Sequence, residues 1–137
     1  MAVRANTDSL KGSATVMSVE DDVRIQRLIR VVLELEGYRV LQASDGLEAL
    51  QLLEVDEPSV ILLDLMLPGV DGWEFLRRVR QVNPRVPIIL ISAVRDLPKE
   101  AERVGATDHL EKPFDVAELV AKVESYVGDG PASSRSA

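Results

Sequence analysis

The stretch VILLDLMLPGVDG, residues 60–72, decides the fold. Five of its first six residues are apolar, which reads as a strand buried on both faces. The run then reaches Asp64, a carboxylate at the edge of the core, whose charge needs a partner there. PGVDG behind it is ordinary turn chemistry followed by a helix cap.

Outward from this strand, short apolar runs alternate with segments of helical period. ATVMSV (14–19), RVLQAS (39–44), SVILLDL (59–65), PIILISA (87–93) and DHLEK (108–112) are the strand candidates. Residues 23–35 carry the clearest helical pattern, with Ile25, Leu28, Ile29, Val32 and Leu33 on one expected face. Asp45, Asp71 and Asp115 each stand three residues before a glutamate (Glu48, Glu74, Glu118), a capping-box pattern with Asp in place of Ser or Thr. Strands alternating with helices predict an α/β fold with a parallel sheet covered on both faces.

The chain has 137 residues, 46% of them hydrophobic, enough for one domain with a real core. Residues 13–127 are read as that domain, with flexible tails over 1–12 and 128–137. The second tail reads equally as a natural end or as the start of a linker. With 16 basic and 23 acidic side chains the net charge is -7, which disfavours direct nucleic-acid binding. The absence of cysteine excludes thiol catalysis and cysteine-ligated metals, and a single histidine cannot build a His-rich metal site. No run is long enough for membrane insertion and no signal-peptide pattern opens the chain, so a cytoplasmic protein is expected.

In a doubly wound sheet the carboxyl ends of the strands share one edge, and ligands bind there. That edge would gather Glu20, Asp21 and Asp22 after strand 1, Asp64 at strand 3, Ser92 at strand 4 and Lys112 at strand 5. Two like charges about 4 Å apart repel by roughly 4 kcal/mol at an effective dielectric of about 20. Glu20, Asp21 and Asp64 together therefore demand a proton or a cation. Magnesium suits them, because it takes oxygen ligands and works beside phosphates. Lys112 adds a fixed positive charge, and Ser92 a hydroxyl donor. A carboxylate, a divalent cation, an ammonium and a hydroxyl are what phosphoryl transfer to an aspartate needs, with Asp64 as the acceptor. Asp22 reads as a charge favoured by the start of the first helix.

With these residues assembled, the sequence resembles the receiver domains of two-component response regulators over about residues 14–127. VEDD carries the acidic pair Glu20 and Asp21, LLDLMLPGVDG the acceptor Asp64, ISA the hydroxyl of Ser92 and EKPF the lysine Lys112. The resemblance implies a flavodoxin-like sandwich, a five-stranded parallel sheet in order 2-1-3-4-5 with five helices. It further implies the Met66 backbone carbonyl as a metal ligand, a cis Lys112–Pro113 bond, and Ser92 with residue 109 as the switch pair. Position 109, an aromatic in most of the family, is His109 here, which brings a titratable ring to the switch. Met66 and Val94 fall where the family lines the path of the hydrolytic water; both are apolar, so a slowly hydrolysed phosphoaspartate is expected. The interval from Ser92 to Lys112 is about two residues shorter than is common, so the fourth helix, around residues 98–104, should be short, with Pro98 near its start.

The resulting expectation is a phosphoacceptor rather than an enzyme. A sensor histidine kinase or histidine phosphotransfer protein would phosphorylate Asp64. An output protein that the sequence does not identify would bind the switch face, with the chain a monomer or a phosphorylation-linked dimer. The alternative is a pseudo-receiver that binds partners without phosphorylation. An aspartyl-phosphate phosphohydrolase is more remote, because the second aspartate expected two residues past the nucleophile is Met66.

Overall fold

The computed structural model describes residues 14–65 and 72–127. The elements run β1 (Thr15–Val19), α1 (Val23–Leu35), β2 (Arg39–Ala43), α2 (Gly46–Leu53), β3 (Val60–Asp64), α3 (Gly72–Val82), β4 (Ile88–Ser92), α4 (Leu97–Val104), β5 (Asp108–Glu111) and α5 (Val116–Val127). The five strands form one parallel sheet in order β2-β1-β3-β4-β5, as the sequence led us to expect. Both tails, Met66, residues 68–71, where a turn is expected, and with them the capping aspartate Asp71 lie outside the described residues.

Successive strand residues feed opposite faces, which is why the central strands are apolar at nearly every position. Val16, Val60, Leu62, Ile89, Ile91 and Leu110 pack with Ile29 and Leu33 of α1 and Leu119, Val123 and Val127 of α5. The alternate residues Met17, Val19, Ile61, Leu63, Ile88 and Leu90 pack with Ala49 of α2, Phe75, Leu76 and Val79 of α3, and Leu97 and Ala101 of α4. One face thus carries two helices and the other three.

Three details correct the sequence reading. The strands are shorter than the apolar runs; β5 ends at Glu111, so Lys112 lies just past it. Leu28, expected on the buried side of α1, is 41% exposed. The apolar stripe of α1 is wider than its contact with the sheet, and Leu28 joins Val23, Val31 and Leu35 outside it. The caps also differ in detail. Asp45 accepts the Glu48 N–H at 2.8 Å, but Glu48 reaches back to the N–H of Ser44, one residue before the cap. Asp115 accepts from Ala117 at 3.0 Å instead of Glu118. Asp22, read as a dipole-favoured charge, is the N-cap of α1 and accepts from the Arg24 and Ile25 N–H groups.

The fourth helix is as short as its sequence implies, with Pro98 in its first turn, where a missing N–H costs nothing. It ends on Gly105 at φ 79, a left-handed conformation that suits glycine. No helix among the described residues is long and apolar enough to cross a membrane.

Candidate functional site

Parallel pairing sets the ends of β1, β3 and β4 side by side. Val19 is in register with Leu63, and Asp64 with Ile91, so Glu20, Asp64 and Ser92 occupy neighbouring positions at one edge. The Lys112 N–H donates to the Ser92 carbonyl at 2.9 Å, carrying the β4–β5 ladder one residue past β5. This brings the lysine to the same edge.

Glu20 is 3% exposed and Asp64 6%, whereas Asp21 lies open to solvent. Glu20, Asp21 and Asp64 each present a carboxylate oxygen within 4.8 Å of the others. The ammonium of Lys112 bridges two of them, 2.9 Å from Glu20 Oε1 and 3.3 Å from Asp64 Oδ2. The Asp22 N–H holds the other Glu20 oxygen at 3.1 Å.

Burial pushes the Glu20 carboxyl up to about 7, against the downward pull of Lys112 and the Asp22 N–H, and Asp64 adds to the rise. Burial pulls the Lys112 ammonium down, but Glu20 and Asp64 outweigh it and hold it above the usual lysine value. One lysine does not compensate the whole acidic set, and the donors are all oxygens. A hard divalent cation fits that combination.

Ser92 is buried, and its Oγ accepts the Val94 N–H at 3.2 Å, which leaves the hydroxyl hydrogen free to donate elsewhere. Val94 itself is half-buried against the α2–α4 side of the core. His109 stands apart from the acidic cluster. It pairs in register with Leu90, and its Nδ1 is 3.9 Å from Asp108 Oδ1.

Two polar clusters were not foreseen. Asp108 accepts from Lys122 Nζ at 3.1 Å, Tyr126 Oη at 2.8 Å and the His109 N–H at 2.7 Å, tying β5 to α5. The Gln26 side chain reaches from α1 to main-chain carbonyls beside the site. No side-chain pattern announces either one.

The fold and this edge define the class, and comparison with known proteins agrees: the chain belongs to the response regulator receiver domain family, whose model matches residues 16–124. Receiver domains are the signalling phosphoacceptors of two-component systems. The chain is 34% identical to sporulation initiation phosphotransferase F of Bacillus subtilis, over 82% of this chain and 92% of that protein. It is 42% identical to the transcriptional regulatory protein CseB of Streptomyces coelicolor, over 82% of this chain but 48% of that protein. It thus spans about half the length of several of the curated regulators it matches. Among solved structures it superposes on the receiver domain of the sensor histidine kinase PA1611 from Pseudomonas aeruginosa, which has a magnesium ion coordinated in its active-site cleft. That match has a TM-score of 0.77 and 33% identity, covering 84% of this chain and 98% of that one.

Proposed function

We propose that Asp64 accepts a phosphoryl group from a phosphohistidine on a sensor kinase or phosphotransfer protein, in the cytoplasm as is usual for the family. The observation that carries this reading is the half-buried Lys112 bridge between Glu20 and Asp64, set among three convergent carboxylates. An Asp64 carboxylate oxygen forms the new bond to phosphorus as the phosphorus–nitrogen bond to the donor imidazole breaks, and the electron pair returns to that nitrogen. Lys112 lies 3.3 Å from an Asp64 oxygen, close enough to neutralise charge on the incoming phosphoryl oxygens. Glu20, Asp21, Asp64 and the Met66 carbonyl are the groups we assign to magnesium, which when bound offsets the same charge. The Ser92 hydroxyl is assigned to a phosphoryl oxygen, and Ser92 with His109 to the switch that alters the output face.

The donor docks beside the site, on our reading, along α1. That helix starts directly behind the acidic residues and exposes Val23, Leu28, Val31 and Leu35 with Arg24 and Arg27 beside them. Output then passes by protein–protein binding, by a monomer or a phosphorylation-linked dimer, without direct contact to nucleic acid by this acidic chain.

Intact-protein mass spectrometry after incubation with acetyl phosphate tests the chemistry. A single phosphoryl increment that needs both magnesium and Asp64, absent with EDTA and in Asp64→Asn, is the expected result. A folded wild type that takes no increment would replace this reading with a phosphorylation-independent interaction module. The same assay follows decay. Met66 and Val94 cannot orient a water, so the increment should outlast that of a Met66→Asn, Val94→Glu variant by about tenfold or more.

A further inference from the structure

Gln26 lies in the first half of α1, facing the carboxyl ends of β1 and β2. Its Nε2 is 3.2 Å from the Glu20 carbonyl oxygen and 3.0 Å from the Ala43 carbonyl oxygen. A carboxamide nitrogen has two hydrogens, and each meets one acceptor here. The reverse orientation would set the amide oxygen against two carbonyl oxygens, so the network admits only this one. Ala43 O also accepts the Glu20 N–H at 3.0 Å. The main chain of Glu20 is therefore held at both ends, its N–H by Ala43 and its carbonyl by Gln26.

That carbonyl belongs to the planar peptide joining Glu20 to Asp21, so holding it sets the direction in which Asp21 leaves the backbone. The Glu20 carboxylate has its own anchors in Lys112 and the Asp22 N–H. Asp22 is anchored as the cap of α1. The exposed Asp21 side chain has no such anchor among the described residues, and its aim depends on the backbone. The backbone of Gln26 is braced in turn: Gln42 Nε2 donates to its main-chain carbonyl at 3.1 Å, and Arg30 Nη1 donates to Gln42 Oε1 at 3.3 Å.

We propose that Gln26 is a positioning residue for the divalent cation: by clamping the Glu20–Asp21 peptide it keeps both carboxylates aimed at one point, and so raises magnesium affinity without touching the ion. The proposal rests on the magnesium-dependent reading of the site. Mutual repulsion of the carboxylates opposes their convergence, and a clamp that resists this repulsion removes an ordering cost from cation binding.

Isothermal titration of the unphosphorylated protein with magnesium is the test, on wild type, Gln26→Met and Gln26→Glu, each with a thermal melt. Methionine keeps the length and helix preference and removes both donors. Glutamate keeps the shape and sets an oxygen against both carbonyls. Magnesium affinity should fall about tenfold in Gln26→Met and at least as far in Gln26→Glu. The rate of phosphorylation by acetyl phosphate should return close to wild type once magnesium is saturating, a split that a general loss of structure would not give. Equal magnesium affinity in wild type and Gln26→Met, whatever the melts show, overturns the proposal. A folded wild type that binds no magnesium overturns both the proposal and the reading beneath it. Weaker binding in the variants of a protein that takes no phosphoryl group sustains the role of Gln26 and removes the phosphoacceptor alone.

Discussion

Ser18 is fully buried in β1, and its Oγ has no hydrogen-bond partner among the described residues. It follows Val16 on the face that packs against α1 and α5, in register with Leu62 of β3. A buried hydroxyl without a partner costs about 1–3 kcal/mol of desolvation. Ser18→Ala removes that hydroxyl and leaves only a small void, so it should raise stability by about 1 kcal/mol in urea unfolding. An unchanged or lower midpoint would mean that the hydroxyl finds a partner, such as a buried water. His109 makes the second residue-scale prediction. Its side chain is 36% exposed and its Nδ1 lies 3.9 Å from Asp108 Oδ1, beyond hydrogen-bonding reach. A ring so exposed and so loosely held carries little of the fold, so His109→Phe should keep its stability within about 0.5 kcal/mol of wild type in urea unfolding. A larger loss would show that the imidazole is a structural part of β5.

At the scale of elements, Asp108 joins an edge strand to the last helix. Burial pushes its carboxyl up, but the His109 N–H, Tyr126 and Lys122 together pull it below the usual aspartate value. A depressed folded-state value means that the unfolded chain takes up its proton first as pH falls. The stabilisation is therefore complete above about pH 4 and fades as pH drops towards the folded-state value. Asp108→Asn should lose about 1 kcal/mol at neutral pH, with most of the difference from wild type gone once pH falls below the folded-state value. A gap that persists undiminished in acid would show that shape, not charge, holds β5 to α5. This latch was illegible in the sequence for a physical reason. Lys122 and Tyr126 stand four residues apart on α5, but Asp108 comes from β5, and no periodicity relates a strand residue to a helix face. Gln26 escaped notice because its acceptors are backbone carbonyls. What could be read was governed by burial: β1, β3 and β4 are covered on both faces and so are apolar at most positions. The edge strands β2 and β5 show mixed burial and weaker patterns. Glu20, Asp21, Asp64 and Lys112 stood out because charge beside apolar strand ends demands an explanation. Leu28 misled, since the hydrophobic period of α1 does not separate a core face from an exposed apolar one.

Across the whole molecule, both tyrosines of the chain sit where α5 closes the sheet, and they give a direct reading of that closure. Tyr38 is 4% exposed in the cluster shared by α1 and α5, and Tyr126 lies on α5 itself. Burial pushes the Tyr38 phenol up to about 12, with Glu124 and Glu36 adding to the shift. Burial also raises Tyr126 to about 12, helped by its hydrogen bond to Asp108. With no other tyrosine present, nothing masks these two in an alkaline titration. The unfolded chain releases phenolic protons near pH 10, the folded one near 12. The unfolded state therefore binds fewer protons in that window, and stability must fall as pH rises through it. The stabilising share of both groups is complete below about pH 10. Tyrosinate absorbance should stay low to about pH 11 and then rise together with the loss of helical circular dichroism, as α5 leaves the sheet. Tyrosinate appearing with a midpoint near pH 10 on a fully helical protein would show that water reaches both rings, and that α5 is not seated as the burial of its Val127 in the cluster with Tyr38 requires.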